Sequence, residues 1–264
     1  MLHSNVTLKL LLGGLLLTGC ANSAANSPTS TSYSPALATT TAKNNLPEGS
    51  VANAESQKIA MANNLLEKGK KAQEKGQHQE AIKAFQRSVK LNPDNLSGYQ
   101  LLSEAQFQAG EQEAAIATLQ TALKRKPNDI AMLNTLGMAY LSSDRLTEAE
   151  RILSQVTDLQ PSNKTAYFSL SLVQQRLRQF ERAIENAQRA AKLEPENPHP
   201  LVVLAVTQWD MGDQTKAVQT YKQVLKKAPQ YGNQTYLIYL KPEGFNADQI
   251  QVVEAVLTAT KKKS

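Results

Sequence analysis

Five prolines set the frame of this chain. Pro93, Pro127, Pro161, Pro195 and Pro229 follow one another at intervals of 34 residues, without a single insertion. A fixed period of that length marks an array in which one small supersecondary unit is stacked on the next. Aligned on the prolines, residues 62–231 divide into five units: 62–95, 96–129, 130–163, 164–197 and 198–231. The twentieth residue of every unit is alanine: Ala81, Ala115, Ala149, Ala183 and Ala217. The eighth is always small: Gly69, Ser103, Gly137, Ser171 and Ala205. The fourth is large, and the seventh is leucine in the last four units, with Lys68 in the first. Apolar residues at i, i+3 and i+4 give each unit two short helices with one apolar face apiece. Gly76, Gly110 and Gly212 fall in the turns between them. Each proline follows a second helix, where a helix cannot easily continue. Gly137 inside a helix costs about 1 kcal/mol relative to alanine, which close packing against Ala149 would offset.

Period and positions together resemble the tetratricopeptide repeat family over residues 62–231. The resemblance implies an all-α fold, a right-handed α-solenoid of helix hairpins. One hairpin cannot bury its apolar face alone, so neighbours must stack and the ends need caps. At the front, Ser50 is placed to N-cap a lead-in helix beginning near Val51. At the back, Asn246 and Gln249 resemble a capping box. The helix that follows carries Ile250, Val253 and Leu257 on one stripe and ends in Lys261-Lys262-Lys263, favourable at a helix carboxyl end.

The amino terminus reads as an address. Residues 10–17, LLLGGLLL, are too short to cross a bilayer, which needs about 20 apolar residues, and fit the h-region of a secretory signal. The run ends in Leu17-Thr18-Gly19-Cys20, which resembles a bacterial lipobox. That resemblance implies cleavage after residue 19 and acylation of Cys20, with enough acyl chains for stable anchoring. Ala21 in place of aspartate favours the outer membrane in enteric-type sorting. From 21 to 50, 24 of 30 residues are Ala, Ser, Thr, Asn or Pro. Such a stretch buries too little apolar surface to offset its ordering entropy and reads as a disordered tether. The expected organisation is therefore a signal peptide (1–19), a lipidated Cys20 with its tether (20–50), the lead-in helix and five units (51–231), and a C-terminal cap (232–264).

Little in the inventory supports catalysis. One cysteine excludes an intrachain disulfide and a cysteine metal cluster. The three histidines, His3, His78 and His199, are far apart; His78 reads as a solvent-exposed turn residue and His199 as structural or solvated. There is no glycine-rich phosphate loop, and neither a cofactor nor a metal is expected. The net charge of +6 is spread over the units as +3, −1, −2, +2 and +2, so no basic stripe suits a nucleic acid.

Recognition of another protein remains. In tetratricopeptide arrays, positions two, five, nine, twelve and thirteen of each first helix line the concave groove. In this chain the first two units place Asn63, Leu66, Lys70, Gln73, Glu74, Ser97, Gln100, Glu104, Phe107 and Gln108 there, a mostly polar set. The last three place Met138, Leu141, Phe168, Leu172, Val202, Val206 and Trp209, largely apolar and suited to an amphipathic helix or peptide of an envelope protein. The alternative for Trp209 is burial beneath the chain's own end, Tyr236 to Leu240 or the helix from Ala247. Leu66 and Ala131 stand where carboxylate-clamping relatives carry lysines, so that activity does not carry over. The expected protein is a lipid-anchored, periplasm-facing scaffold or assembly factor. Its architecture is similar to type IV pilus pilotin lipoproteins and to cell-wall-hydrolase adaptor lipoproteins. An accessory carrier holding a small ligand in the groove is the alternative of another class.

Overall fold

A computed structural model describes residues 48–262 of the chain, and every regular element among them is helical. The expected signal peptide, Cys20 and the expected tether as far as residue 47 lie outside the described residues. Helix α1 (Glu48–Glu74) pairs with α2 (His78–Leu91), α3 (Leu96–Gln108) with α4 (Gln112–Arg125), and α5 (Ile130–Ser142) with α6 (Leu146–Leu159). The series continues with α7 (Lys164–Arg176) and α8 (Phe180–Leu193), then α9 (His199–Asp210) and α10 (Gln214–Lys227). Two 3₁₀ segments, Pro229–Gly232 and Gln234–Glu243, lead to α11 (Ala247–Lys262). The result is an α-solenoid of stacked hairpins closed by a terminal helix.

The second helices show the apolar spacing most plainly. In α6 the buried residues are Ala149, Ile152, Leu153 and Val156, at i, i+3, i+4 and i+7. Opposite them, α5 buries Leu133, Leu136, Gly137 and Tyr140. In the first and third units the glycine at position eight stands closest to the residue at position twenty-four. A methyl group on Gly137 would stand 2.6 Å from Cγ and Cδ2 of Leu153, and one on Gly69 would stand 2.4 Å from the Phe85 ring. Gly137 thus makes room for Leu153, one helical turn beyond the expected partner Ala149, which is itself fully buried. The five residues at position twenty-four, Phe85, Leu119, Leu153, Ala187 and Tyr221, are all completely closed to solvent.

Turns and caps follow local chemistry. Gly76, Gly110 and Gly212 adopt the left-handed backbone with φ of 70°, 79° and 87°. Asp144 and Arg178 take the same conformation at the equivalent places, both at φ 59°. Side-chain oxygens of Asp129, Asn163 and Asp213 accept from the backbone N–H three residues on, at 2.9–3.0 Å. The capping box opens α11: Asn246 N–H donates to Gln249 Oε1 at 3.0 Å, and Gln249 N–H donates to Asn246 Oδ1 at 2.9 Å. Helix α1 starts three residues earlier than expected, at Glu48, so Ser50 lies inside it rather than at its cap.

One apolar core runs from Tyr99 to Leu257 and takes in units two to five together with the C-terminal segment. A smaller cluster of Leu66, Ala72, Ala81, Ile82, Phe85, Leu102 and Ala105 holds the first unit. Val89 packs against both. Upstream of Ala62, every residue of α1 from Asn53 is exposed, Ile59 and Met61 among them.

Candidate functional site

Among the first helices of the units, α1 packs beside α3, α5 beside α7 and α7 beside α9, and the 34-residue register assigns all five to one inner wall. Gln73 on α1 donates its side-chain amide to Gln108 on α3 at 2.9 Å. Arg176 on α7 donates to the Leu141 carbonyl on α5 at 3.3 Å, and Gln175 donates to Asp210 on α9 at 2.6 Å. These polar links set neighbouring helices in register at the carboxyl edge of the wall.

The C-terminal segment lies against the wall's second half. Gly244, with φ 99°, passes so close that a Cβ there would stand 3.1 Å from Leu172 and 3.5 Å from Leu141. Only glycine combines that backbone with that approach. The Phe245 ring sits 6.2 Å from Phe168, centroid to centroid, and Phe168 is equally far from the imidazole of His199. His199 ties the segment down: its Nε2 shares a 2.7 Å hydrogen bond with the Tyr231 hydroxyl, and its Nδ1 lies 3.3 Å from Glu243. Gln249 of α11 donates to Gln175 through a buried 2.6 Å bond. Burial pushes the hydroxyls of Tyr221 and Tyr231 well above the ordinary tyrosine range, so both stay neutral.

This placement corrects the expected apolar groove. Leu141, Leu172, Val202 and Val206 are buried, Leu172 and Val202 completely. Met138, Phe168 and Trp209 are half-buried. The seven residues do lie along one wall, but its deeper part is the floor on which the chain's own end rests. Trp209 packs against the core and shares a recess with Gln234 and with Gln251, Glu254, Ala255, Thr258 and Ala259 of α11. A tethered apolar segment competes with any free partner at a high effective concentration, and here it occupies the surface first. Trp209→Ala is therefore expected to lower the melting temperature, by about 2–4 °C for each kcal/mol lost in a chain of this size. An unchanged melting temperature combined with loss of a partner would return Trp209 to the binding surface.

The first half of the wall stays uncovered. Gln73, Gln100, Glu104, Phe107 and Gln108 are half-buried, as are Asn134 and Met138 on α5. Burial raises the Glu104 carboxyl above the usual range, with no cation beside it to oppose the shift. Lys70, the one cation at the inner positions of these three units, is held by Glu67 at 2.8 Å. Asn134 Oδ1 is closed to solvent without a donor. At the end of the wall, Lys70, Gln73, Glu74, His78 and Gln108 line a shallow recess of about 500 Å³. His78 is half-buried at the start of α2, with Nδ1 shielded and unpartnered, and not the exposed turn residue expected. Sequence reasoning passed over Asn134, although the 34-residue register puts it at position five of the third unit. Among the described residues, no group of three or more His, Cys, Asp and Glu side chains is placed to hold a metal ion. None of the described helices is long and apolar enough to cross a membrane.

Comparison with known proteins agrees with this fold. Crystal structures of MamA share the fold: one superposes with a TM-score of 0.59 at 22% identity, covering 64% of this chain and 93% of that one. MamA from Desulfovibrio magneticus RS-1 gives 0.60 at 20% identity, covering 63% and 94%. TTC0263, a thermophilic TPR protein in Thermus thermophilus, gives 0.52 at 21% identity, covering 75% and 99%. No curated protein matches the chain significantly. A family model described as tetratricopeptide repeat matches residues 72–138, 113–172 and 176–237, well over half of the chain. With its period, its paired helices and this match, the chain belongs to the tetratricopeptide repeat family.

Proposed function

We propose that this tetratricopeptide repeat protein is a lipid-anchored adaptor of the bacterial cell envelope, holding a segment of a partner protein on the open inner wall of its first three units. The observation that carries the reading is the division of the wall. Its second half is closed by the chain's own end, while Phe107, packed on the core by one side, and Met138 stay half-exposed among polar side chains on the first half. An aromatic anchor ringed by hydrogen-bonding groups is the usual make-up of a protein contact. The LLLGGLLL run and the Leu17-Thr18-Gly19-Cys20 motif support acylation at Cys20. The segment between Cys20 and α1, residues 21–47, would then hold the solenoid off the bilayer, with a root-mean-square reach of roughly 30 Å if it is a flexible coil. Ala21 supports the outer membrane, and the solenoid would face the periplasm. The protein would work without catalysis or a cofactor. A narrower version, in which the partner is a type IV pilus secretin, rests on architecture: lipobox, length and repeat number.

A photoreactive amino acid placed at Phe107 or Met138 in cells tests the reading. A discrete adduct with another envelope protein is expected from both positions and not from Lys83 on the outer face of α2. Adducts from Lys83 alone would move the contact off the wall. The anchor has its own test: Cys20→Ser should abolish lipid labelling and release the protein from the membrane fraction, and labelling that persists would refute it. One observation favours the carrier alternative, the recess beside the shielded Nδ1 of His78. A small molecule retained in native mass spectrometry, without protein adducts, would establish it.

A further inference from the structure

The open wall differs in charge from the rest of the protein. The chain carries +6 overall, yet its inner positions in units one to three hold two acids, Glu74 and Glu104, against Lys70 alone. Lys70 is engaged by Glu67 at 2.8 Å, and no ion pair within 4.0 Å joins it to Glu74 or Glu104. Glu104 is half-buried, and no hydrogen bond or ion pair reaches it from the described residues. A partly desolvated carboxylate without a donor costs free energy that a bound cation would recover. Phe107 lies three residues along the same helix and so on the same face, one turn away. Met138 holds position nine of the next unit, as Glu104 does in its own. Carboxylate and ring therefore share one face of α3, and the thioether holds the matching register position on α5; the ring's other side packs on the core.

We propose that the occupant of this wall is a protein segment carrying a lysine or arginine beside a large apolar side chain, the cation meeting Glu104 and the apolar group lying between Phe107 and Met138. The inference rests on the adaptor reading and names the chemistry of its partner. Charge argues for a separate basic segment: an acidic one would meet Glu104 and Glu74 unpaired, and like charges placed together on binding are strongly disfavoured. The basic exterior of the first unit, at +3, would also turn a cationic segment away from other faces and leave the wall as its preferred seat.

Random dodecapeptides displayed on phage and selected on the full-length protein in detergent provide the test. Recovered peptides should carry Lys or Arg next to Leu, Ile, Phe or Met. Resynthesised with a fluorescent label, they should lose about tenfold or more in affinity against Glu104→Gln, recover part of it with Glu104→Asp, and weaken against Phe107→Ala. Peptides that depend on Phe107 but lack a cation, or bind Glu104→Gln undiminished, would overturn the inference and leave the adaptor reading standing. Failure to recover any peptide that depends on the wall would overturn both. Concentration-dependent self-association abolished by Glu104→Gln would make a second copy the occupant, through its Lys261-Lys262-Lys263 tail, and would likewise overturn assignment to a separate partner.

Discussion

Ending the chain at Gly232 should unfold the last unit and make the protein aggregate. The truncation removes Leu237, Leu240, Val253, Val256 and Leu257, all buried. At about 1.5–3 kcal/mol for each large side chain withdrawn from water, their loss is on the order of 10 kcal/mol, which matches the whole margin of a typical domain. It also uncovers Leu141, Leu172, Val202 and Val206 as one apolar strip, and such strips promote association. In a solenoid the damage should be graded, because each unit leans only on its neighbours. Units one and two should keep their helices while α9 and α10 melt. Circular dichroism should therefore lose more helix than the sixteen residues of α11 account for, and a hydrophobic dye should bind. If the truncated protein stays monomeric with its former melting temperature, the C-terminal segment is a removable flap, and the apolar half of the wall returns as a binding surface.

Leu153→Ala should cost about 2–5 kcal/mol, the usual range for emptying a fully packed leucine site. Its coupling to Gly137 is the more informative measurement. Gly137→Ala alone brings two opposed effects: a gain of about 1 kcal/mol in helix propensity, and an overpacking penalty of about 1–3 kcal/mol. The new methyl at 2.6 Å from Leu153 requires that side chain to move, so the penalty should win. With Leu153 cut back to alanine the obstruction is gone, and the same substitution should stabilise. Denaturant melts of the four proteins form a double-mutant cycle, with a coupling expected in the range of 0.5–3 kcal/mol, or ~1 and more here. Strict additivity would mean that the two positions do not touch.

The same pair of residues shows how far local pattern reaches. The 34-residue proline interval, the alanine at position twenty and the small residue at position eight predict paired helices in a stacked array, and those helices are present. The reason is physical: a short helix with one apolar stripe has only another such helix on which to bury it. The Asn246 and Gln249 capping box was legible for a similar reason, since both bonds lie within four residues. Which larger residue occupies the space left at position eight was not legible. Alanine at position twenty and leucine at position twenty-four lie one helical turn apart on the same face, and the rotation of the second helix decides between them. Nor did the sequence reveal the turns at Asp144 and Arg178, which take a left-handed backbone without a glycine to announce it.

Sequence alone determined the repeat, its register and the helix pairs, and the family resemblance added the positions expected on the inner wall. Only the tertiary structure decided which part of that wall is free. An apolar stripe records that a surface must leave water and carries no address for what will cover it. Met138, Leu141, Phe168, Leu172, Val202, Val206 and Trp209 fit a partner helix and a returning tail equally well by composition. The tail wins over much of their length because it is covalently attached and because Gly244 lets its backbone settle onto Leu172 and Leu141. The polar half of the wall has no such tethered competitor, so Glu104, Phe107 and Met138 remain uncovered for a partner that brings its own charge.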